Sequence, residues 1–167
     1  MRPIINILVI IVLIAFSTFA LALPDDKTKP INIIADSSQY NYKTGIKIFE
    51  GHVTIIQGTT HLNADRVITK DNNQHKLNEV YAYGFKNRAH YWTIPKAGDP
   101  ELHAKAQIIK FYPIESRVVL EKSVLVTQKD NRFTGDLLFY YMKDQKIIVP
   151  PTKGARAELV YNPEKSG

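Results

Sequence analysis

The stretch FEGHVTIIQGTTHLNADRV, from Phe49 to Val67, decides the fold, because it recurs 71 residues later as LEKSVLVTQKDNRFTGDLL, from Leu120 to Leu138. The two copies align without a gap, and a Glu, a Val, a Gln and an Asp occupy equivalent positions in both. Each copy has the pattern of an apolar strand, a polar turn and a second strand. An internal repeat of this kind predicts stacked β-units that share one apolar core.

A shorter signal divides the chain into units of 29, 40 and 31 residues, which begin at Ile34-Ala35-Asp36, Asn63-Ala64-Asp65, His103-Ala104-Lys105 and Thr134-Gly135-Asp136. From Pro30 onward, alternation of apolar and polar residues predicts many short strands separated by Gly, Asn and Asp turns. Eight of these candidates fall in the two copies: Ile46–Glu50, Val53–Gln57, His61–Asn63, Arg66–Lys70, Arg117–Glu121, Val124–Gln128, Arg132–Thr134 and Leu137–Met142. The pattern predicts a single all-β domain, as a sandwich, a jellyroll or a related β-roll.

The first 22 residues have the features of an export signal. Arg2 gives a positive start, Ile7 to Phe16 is an unbroken apolar run, and Ala20-Leu21-Ala22 fits a signal-peptidase site. We expect cleavage after Ala22, with residues 1–22 as signal peptide and residues 23–167 as the mature domain. The alternative is an uncleaved anchor, because Ile4 to Leu23 is nearly as long as the roughly 20 apolar residues that span a bilayer. Either way, the protein leaves the cytoplasm.

The composition excludes several classes of function. The net charge of +6 is spread along the chain without runs of Lys or Arg, so it gives only a weak signal for nucleic acid, and we expect no nucleic-acid partner. Cysteine is absent, although an exported protein could form disulfides. Stability must therefore come from burial and from sheet hydrogen bonds.

Side chains that could support catalysis do not form a catalytic pattern. Asp36, Asp65 and Asp136 recur at equivalent points of the repeat, which favours local bonds to backbone at strand starts over one shared site. The histidines lack the close spacing that metal sites often use: His52, His61, His75, His90 and His103. Phosphate-binding and dinucleotide-binding glycine motifs and a nucleophile elbow are also missing. We expect no enzymatic activity, no metal and no cofactor.

Apolar side chains at alternate spacing suggest an interior surface. Tyr40 with Tyr42 and Ile109 with Phe111 are such pairs on predicted strands. In a closed sandwich they would form the core. If two sheets diverged, they would line an apolar trough that a lipid or another protein must cover. Periodicity leaves both interpretations open, and it does not fix the inward phase around Ile46 to Phe49.

The sequence resembles the OstA-like domain family of lipopolysaccharide-transport proteins over essentially the whole mature chain. The resemblance rests on the order and spacing of several short segments: Pro30 to Asp36, Phe49 to Val53, Gln57-Gly58, Leu62 to Val67, Tyr83-Gly84, His103-Ala104, Val118 to Leu120 and Thr134 to Asp136. It implies a β-jellyroll of two facing antiparallel sheets, about 16 strands in all and open at both ends. Many family members continue with a longer basic or polar tail. This chain stops at Gly167, which leaves the C-terminal edge less covered.

The resemblance also implies a periplasmic function. Proteins of this family carry lipopolysaccharide, by its lipid A, from an inner-membrane transport complex to an outer-membrane translocon, through contacts with similar jellyroll domains and by stacking head to tail. Matching positions and alternation together nominate Ile31, His90, Ile109 and Phe111 as lipid-binding residues. Further lining residues follow from pattern alone: Ile33, Tyr40, Tyr42, Val53, Ile55, Val124 and Val126.

The terminal strands are the expected assembly edges, since Pro30 and Pro163 limit pairing beside them. The nominated edge residues are Ile31, Ile33, Ala157, Leu159 and Val160. Two alternatives to a soluble carrier remain open at this point. One is an inner-membrane-anchored partner with the same jellyroll, and the other is a carbohydrate-binding β-solenoid, which would need acidic and aromatic residues clustered on one exposed face.

Overall fold

The computed structural model describes residues 26–144, 146–152 and 156–162. After a short 3₁₀ helix, η1 (Asp26–Thr28), the described chain forms twelve strands: β1 (Asn32–Ile34), β2 (Ser37–Asn41), β3 (Ile46–Gln57), β4 (Thr60–Asp71), β5 (Leu77–Tyr83), β6 (Ala89–Thr93), β7 (Leu102–Ala106), β8 (Ile108–Tyr112), β9 (Arg117–Gln128), β10 (Asn131–Tyr141), β11 (Lys146–Ile148) and β12 (Glu158–Val160). No helix within these ranges is long and apolar enough to cross a membrane. The predicted signal peptide and its cleavage point lie outside the described residues.

The strands form two antiparallel layers, because the four long strands contribute one half to each. The first layer contains β1, β6, β7 and β12, the C-terminal halves of β3 and β9, and the N-terminal halves of β4 and β10. The second layer contains β2, β5, β8 and β11 with the remaining halves. All pairs are antiparallel, which confirms the all-β jellyroll of two facing sheets.

Each long strand passes from one layer to the other at an irregular point. In β3 the pairing with β4 shifts between Glu50 and Val53, and Gly51 and His52 both have positive φ, 78° and 45°. In β9 the equivalent residues Lys122 and Ser123 have φ of 64° and 55°. Such bulges bend a strand while pairing continues on both sides. We call this line of crossovers the spine.

The spine explains why twelve strands are described where about 16 were predicted. The segments around Gly51 and Lys122 have the polar composition of turns, so the sequence divided each long strand into two. The 71-residue repeat itself is confirmed, since β3 and β9 have matching bounds. One strand was missed, namely β7, because only its triplet His103-Ala104-Lys105 was noted and Pro100 precedes it closely.

Two of the three repeated aspartates bind backbone close to the spine. Asp65 accepts hydrogen bonds from the backbone N–H groups of Phe85 and Lys86. Asp136 accepts one from the N–H of Ser123 in the β9 bulge. These contacts support the interpretation that the aspartates are structural, because each satisfies backbone donors that the bulges and corners leave unpaired.

The core lies between the layers next to the spine. Buried residues from both layers form one cluster: Val53, Leu62, Val67, Val80, Ala82, Ala89, Ala104, Ala106, Ile109, Leu120, Val124 and Leu138. Side chains farther from the spine are only partly buried against this cluster, among them Ile55, Phe111, Val126 and Tyr140. The layers therefore enclose a packed core on one side and a more accessible apolar surface on the other.

Candidate functional site

The inner face of the first layer carries a continuous row of mainly apolar side chains that we call the facing row. Its members lie directly opposite one another from strand to strand: Ile33, Ile55, Leu62, Tyr91, Ala104, Val126, Phe133 and Leu159. Because successive side chains of a strand point to opposite faces, a cross-strand row of this kind presents one continuous surface.

The second layer carries two such rows. The row beside the spine is part of the packed core: Phe49, Val67, Ala82, Ile109, Leu120 and Leu138. The rim row, farther from the spine, runs from the N-terminal end to the C-terminal end of the layer: Tyr40, Lys47, Thr69, Val80, Phe111, Val118, Tyr140 and Ile147. Together the facing row and the rim row form the two walls of an apolar interior.

The structure places six of the nominated lining residues between the layers. Val53, Val124 and Ile109 are fully buried beside the spine. Their neighbours farther from the spine are partly buried against the core: Ile55, Phe111 and Val126. Because the second set retains accessible surface, it is the set that a lipid could contact without displacing the core.

The nominated residues near the N-terminus lie at the end of the walls. Ile33 is 37% exposed, and Ile31 and Tyr40 are exposed as well. Tyr42 is 78% exposed, with its ring 4.1 Å from that of Tyr40. These side chains continue the inner rows to an open end, where no strand of the described chain covers them.

His90 is the exception among the nominated residues. Its neighbours Ala89 and Tyr91 point into the core, so alternation places the His90 ring on the outer face of the first layer. The structure therefore contradicts the expectation that His90 lines the interior. The nomination rested on a matching family position, and the inward phase of β6 is set by Ala89 and Tyr91 instead.

His90 belongs to a group of rings on the outer face. Its Nε2 lies 3.1 Å from Nδ1 of His103, whose Nε2 is 2.9 Å from a carboxylate oxygen of Glu101. The Trp92 ring lies 4.6 Å from His90 and is stacked on His61 at 4.8 Å. Burial lowers the pKa of His90 to about 4, and the positive charge of Lys105 acts in the same direction. Among the described residues, no three His, Cys, Asp or Glu side chains are placed to hold a metal ion.

The N-terminal segment is fixed to the rim of the first layer. The Asp26 carboxylate accepts hydrogen bonds from the Thr59 N–H at 3.0 Å, the Thr59 hydroxyl at 2.6 Å and the Thr60 hydroxyl at 3.0 Å. Burial alone would raise the pKa of Asp26, but these bonds hold it below its usual value. Helix η1 is thus attached beside the interior, at the β3–β4 turn.

The C-terminal end also exposes apolar side chains on its last strands. Leu159 is 70% exposed, and Val160 and Ile147 are exposed too. Strand β12 pairs with β10 along one side only, as β1 pairs with β3 at the other end. The nominated edge residues Ile33, Leu159 and Val160 therefore lie on unpaired terminal strands, and Ile31 and Ala157 lie just outside them.

One feature of the interior was not anticipated from the sequence. The rim row contains Lys47 and Thr69 among apolar neighbours, and Lys47 Nζ lies 2.7 Å from Oδ2 of Asp71. An inward lysine in a strand with Ile46 and Ile48 on its other face contradicts the usual alternation, which is why the phase of this segment could not be assigned.

The fold and the two-walled interior define a β-jellyroll of the lipopolysaccharide-transport type, and sequence comparison agrees. The chain belongs to the family described as "LptA/(LptD N-terminal domain) LPS transport protein", whose profile matches residues 32–146.

Particular relatives fit the same description. Lipopolysaccharide export system protein LptH of Pseudomonas aeruginosa is 29% identical over 156 residues, which cover 89% of this chain and 88% of that protein. Lipopolysaccharide export system protein LptA of Escherichia coli K12 is 28% identical over 153 residues, covering 92% and 82%. The crystal structure of Pseudomonas aeruginosa LptH superposes with a TM-score of 0.75 at 26% identity, covering 84% of this chain and all of that one.

Proposed function

We propose that this protein carries lipopolysaccharide through the periplasm from the inner to the outer membrane, with the acyl chains of lipid A held between the two layers. The observation that carries the proposal is the pair of rows on the inner faces, which reach both ends of the molecule and stay accessible there. The names of the relatives support it, since they are lipopolysaccharide export system proteins and LptH is titled a periplasmic component.

The physical task suits such an interior. Each CH₂ group exposed to water costs about 0.8 kcal/mol, so several acyl chains together cost tens of kcal/mol. A surface that replaces water with apolar side chains lowers this cost without making or breaking a covalent bond. The role we propose is therefore carriage and not catalysis.

Transport between two membranes requires more than one copy of the jellyroll. Eight strand positions per layer at about 4.8 Å give a length of roughly 35–40 Å. We propose that copies add head to tail through their terminal strands, and that the end copies meet jellyroll domains of an inner-membrane complex and an outer-membrane translocon. Unpaired strands at both ends support this arrangement, because β-strand addition uses such edges.

The soluble and the membrane-anchored forms differ only before the described residues. We propose the cleaved, soluble form, and Edman sequencing of the exported protein tests it. A start at Leu23 is the expected result, whereas an intact Met1 on the mature protein would establish the anchored alternative.

Photo-crosslinking tests the lipid-binding interior. A crosslinking amino acid at Phe111 should capture lipopolysaccharide most strongly, because this side chain is accessible on the rim row. One at Ile109 should capture less, since Ile109 lies deeper, beside the spine. One at Lys110 should capture none, because its side chain points outward and pairs with Glu121. Equal capture at the three positions would contradict the assigned phase and the interior site.

A further inference from the structure

The N-terminal end of the apolar interior contains a polar group that we call the polar corner: Lys47, Thr69 and Asp71. Lys47 and Thr69 are adjacent members of the rim row, between Tyr40 and Val80. Lys47 Nζ donates to Asp71 Oδ2 at 2.7 Å. The corner is therefore a donor-rich site on an otherwise apolar wall.

The fold itself does not require polar residues at this place. At the 71-residue offset, the second copy of the repeat has Val118 where the first has Lys47, Tyr140 where it has Thr69, and Met142 where it has Asp71. Burying charged and hydroxyl groups is unfavourable compared with apolar residues of similar size. Since the equivalent positions accept apolar side chains in the same architecture, the polar corner needs an explanation other than folding.

The side chains of the corner retain unused hydrogen-bonding capacity. Thr69 is 5% exposed, and its Oγ1 has no hydrogen-bond partner among the described residues. An unpaired buried hydroxyl costs about 1–3 kcal/mol, which a ligand could recover. Lys47 has three donors and uses one on Asp71.

The corner is also accessible. The Lys47 side chain is 31% exposed while that of Asp71 is 6% exposed, so the ammonium group is the part that a ligand at the open end would reach. The Tyr40 ring lies 4.9 Å from Lys47 Nζ and forms the outer boundary of the corner.

We propose that the polar corner binds the phosphorylated sugar head of the lipopolysaccharide. This inference rests on the proposed function and assigns a polarity to it. Lys47 donates to a phosphate oxygen, Thr69 donates to the phosphate or to a sugar oxygen, and Asp71 orients the ammonium and accepts from a sugar hydroxyl. The acyl chains then extend along the apolar part of the rim row from Val80 to Ile147, about 24 Å.

The decisive variant replaces the ion pair with the residues of the second copy, Lys47→Val with Asp71→Met. Removing both partners leaves no unpaired buried charge, so the fold should persist. The matched control is Lys110→Val with Glu121→Met, which makes the same exchange at an outward-facing ion pair of the same layer. If the first double variant does not fold, Thr69→Val serves instead, since it removes only the unpaired hydroxyl and should not destabilise the protein.

Binding is measured for phosphorylated lipid A and for the same lipid A after enzymatic dephosphorylation, with inorganic phosphate as competitor. The wild type and the outward control should bind the phosphorylated form about tenfold more tightly, as expected for charge-assisted hydrogen bonds. The corner variant should bind both forms equally, with the wild-type affinity for the dephosphorylated form, and Thr69→Val should reduce the preference. Inorganic phosphate should not displace the lipid.

Three results would overturn the inference. The phosphate preference could survive in the corner variant, or be absent from the wild type while both lipids bind, and in either case the proposed carrier function would stand. Displacement by inorganic phosphate would make the corner a free-phosphate site. If the wild type binds neither lipid, the carrier function itself fails.

Discussion

Replacing Leu159 with proline should weaken self-association and leave the monomer folded. In an antiparallel ladder, alternate residues bond to the strands on either side. The β9–β10 turn closes with Gln128 opposite Asn131, so Phe133 bonds to β9 and its neighbour Arg132 faces β12. It follows that Val160, opposite Arg132, bonds inside the protein.

Leu159 occupies the other phase of β12, so its N–H points to the free edge. Ile33, opposite Ile55 in β1, occupies the corresponding phase at the N-terminal end, because the β3–β4 turn closes with Gln57 opposite Thr60. A head-to-tail contact between these edges would continue the facing row from one copy to the next.

The size of the effect follows from the two groups that proline changes. One interstrand hydrogen bond contributes about 1 kcal/mol. The leucine side chain is 70% exposed, so covering it contributes about 1 kcal/mol more. Losing both should raise the dissociation constant about 30-fold. Leu159→Ala, which keeps the N–H, should raise it only about fivefold.

Analytical ultracentrifugation over a concentration series measures these constants, and circular dichroism verifies the fold. Val160→Pro is the contrasting variant, because it breaks a bond to Arg132 within the monomer and should release β12. If Leu159→Pro associates as strongly as the wild type, or if the wild type remains monomeric throughout, the edge mechanism is refuted.

Two further predictions concern stability. The pKa of His90 is about 4 in the folded protein, below the unfolded value of about 6.5, so the unfolded chain takes up the proton first. The unfolding free energy should therefore fall as the pH is lowered from about 7 to 5, by about 1 kcal/mol after allowance for solvent screening, and His90→Phe should remove this part of the pH dependence in urea titrations. Gly51→Ala should cost about 2 kcal/mol, because φ is +78° and the new Cβ would lie 2.8 Å from Cβ of Asp36. Gly98→Ala, with φ of +85° and nothing within 4 Å, should cost about half as much, and equal costs in thermal unfolding would show that the contact with Asp36 is irrelevant.

Strand periodicity was sufficient to predict the fold class and most of the interior. Alternation with period two assigns Ile55, Phe111 and Val126 to one face, and the register confirms that they share the enclosed side. The repeat predicted where the two long hairpins lie. These properties depend on local patterns that a buried face imposes on the residues that form it.

The remaining features depend on contacts that local patterns do not encode. A bulge such as Gly51-His52 has the composition of a turn, and only the pairing on both sides distinguishes them. His90 has an apolar environment because of Trp92 and His103, which come from its own and a neighbouring strand. Lys47 faces inward against its own polarity, and departures of this kind are expected at functional sites.

The pairing of strands close in sequence has a consequence for how the chain acquires its structure. Ladder partners as widely spaced as His61 and Trp92, or Val80 and Phe111, are only 31 residues apart. Such an arrangement can nucleate at any hairpin and grow one strand at a time, without long-range loop closure. The first and last strands gain one neighbour each, so they are the least stabilised by the rest of the monomer. A copy that pairs with them would complete at its ends what the single chain leaves marginally ordered, and this links folding of the terminal strands to the growth of a chain of copies.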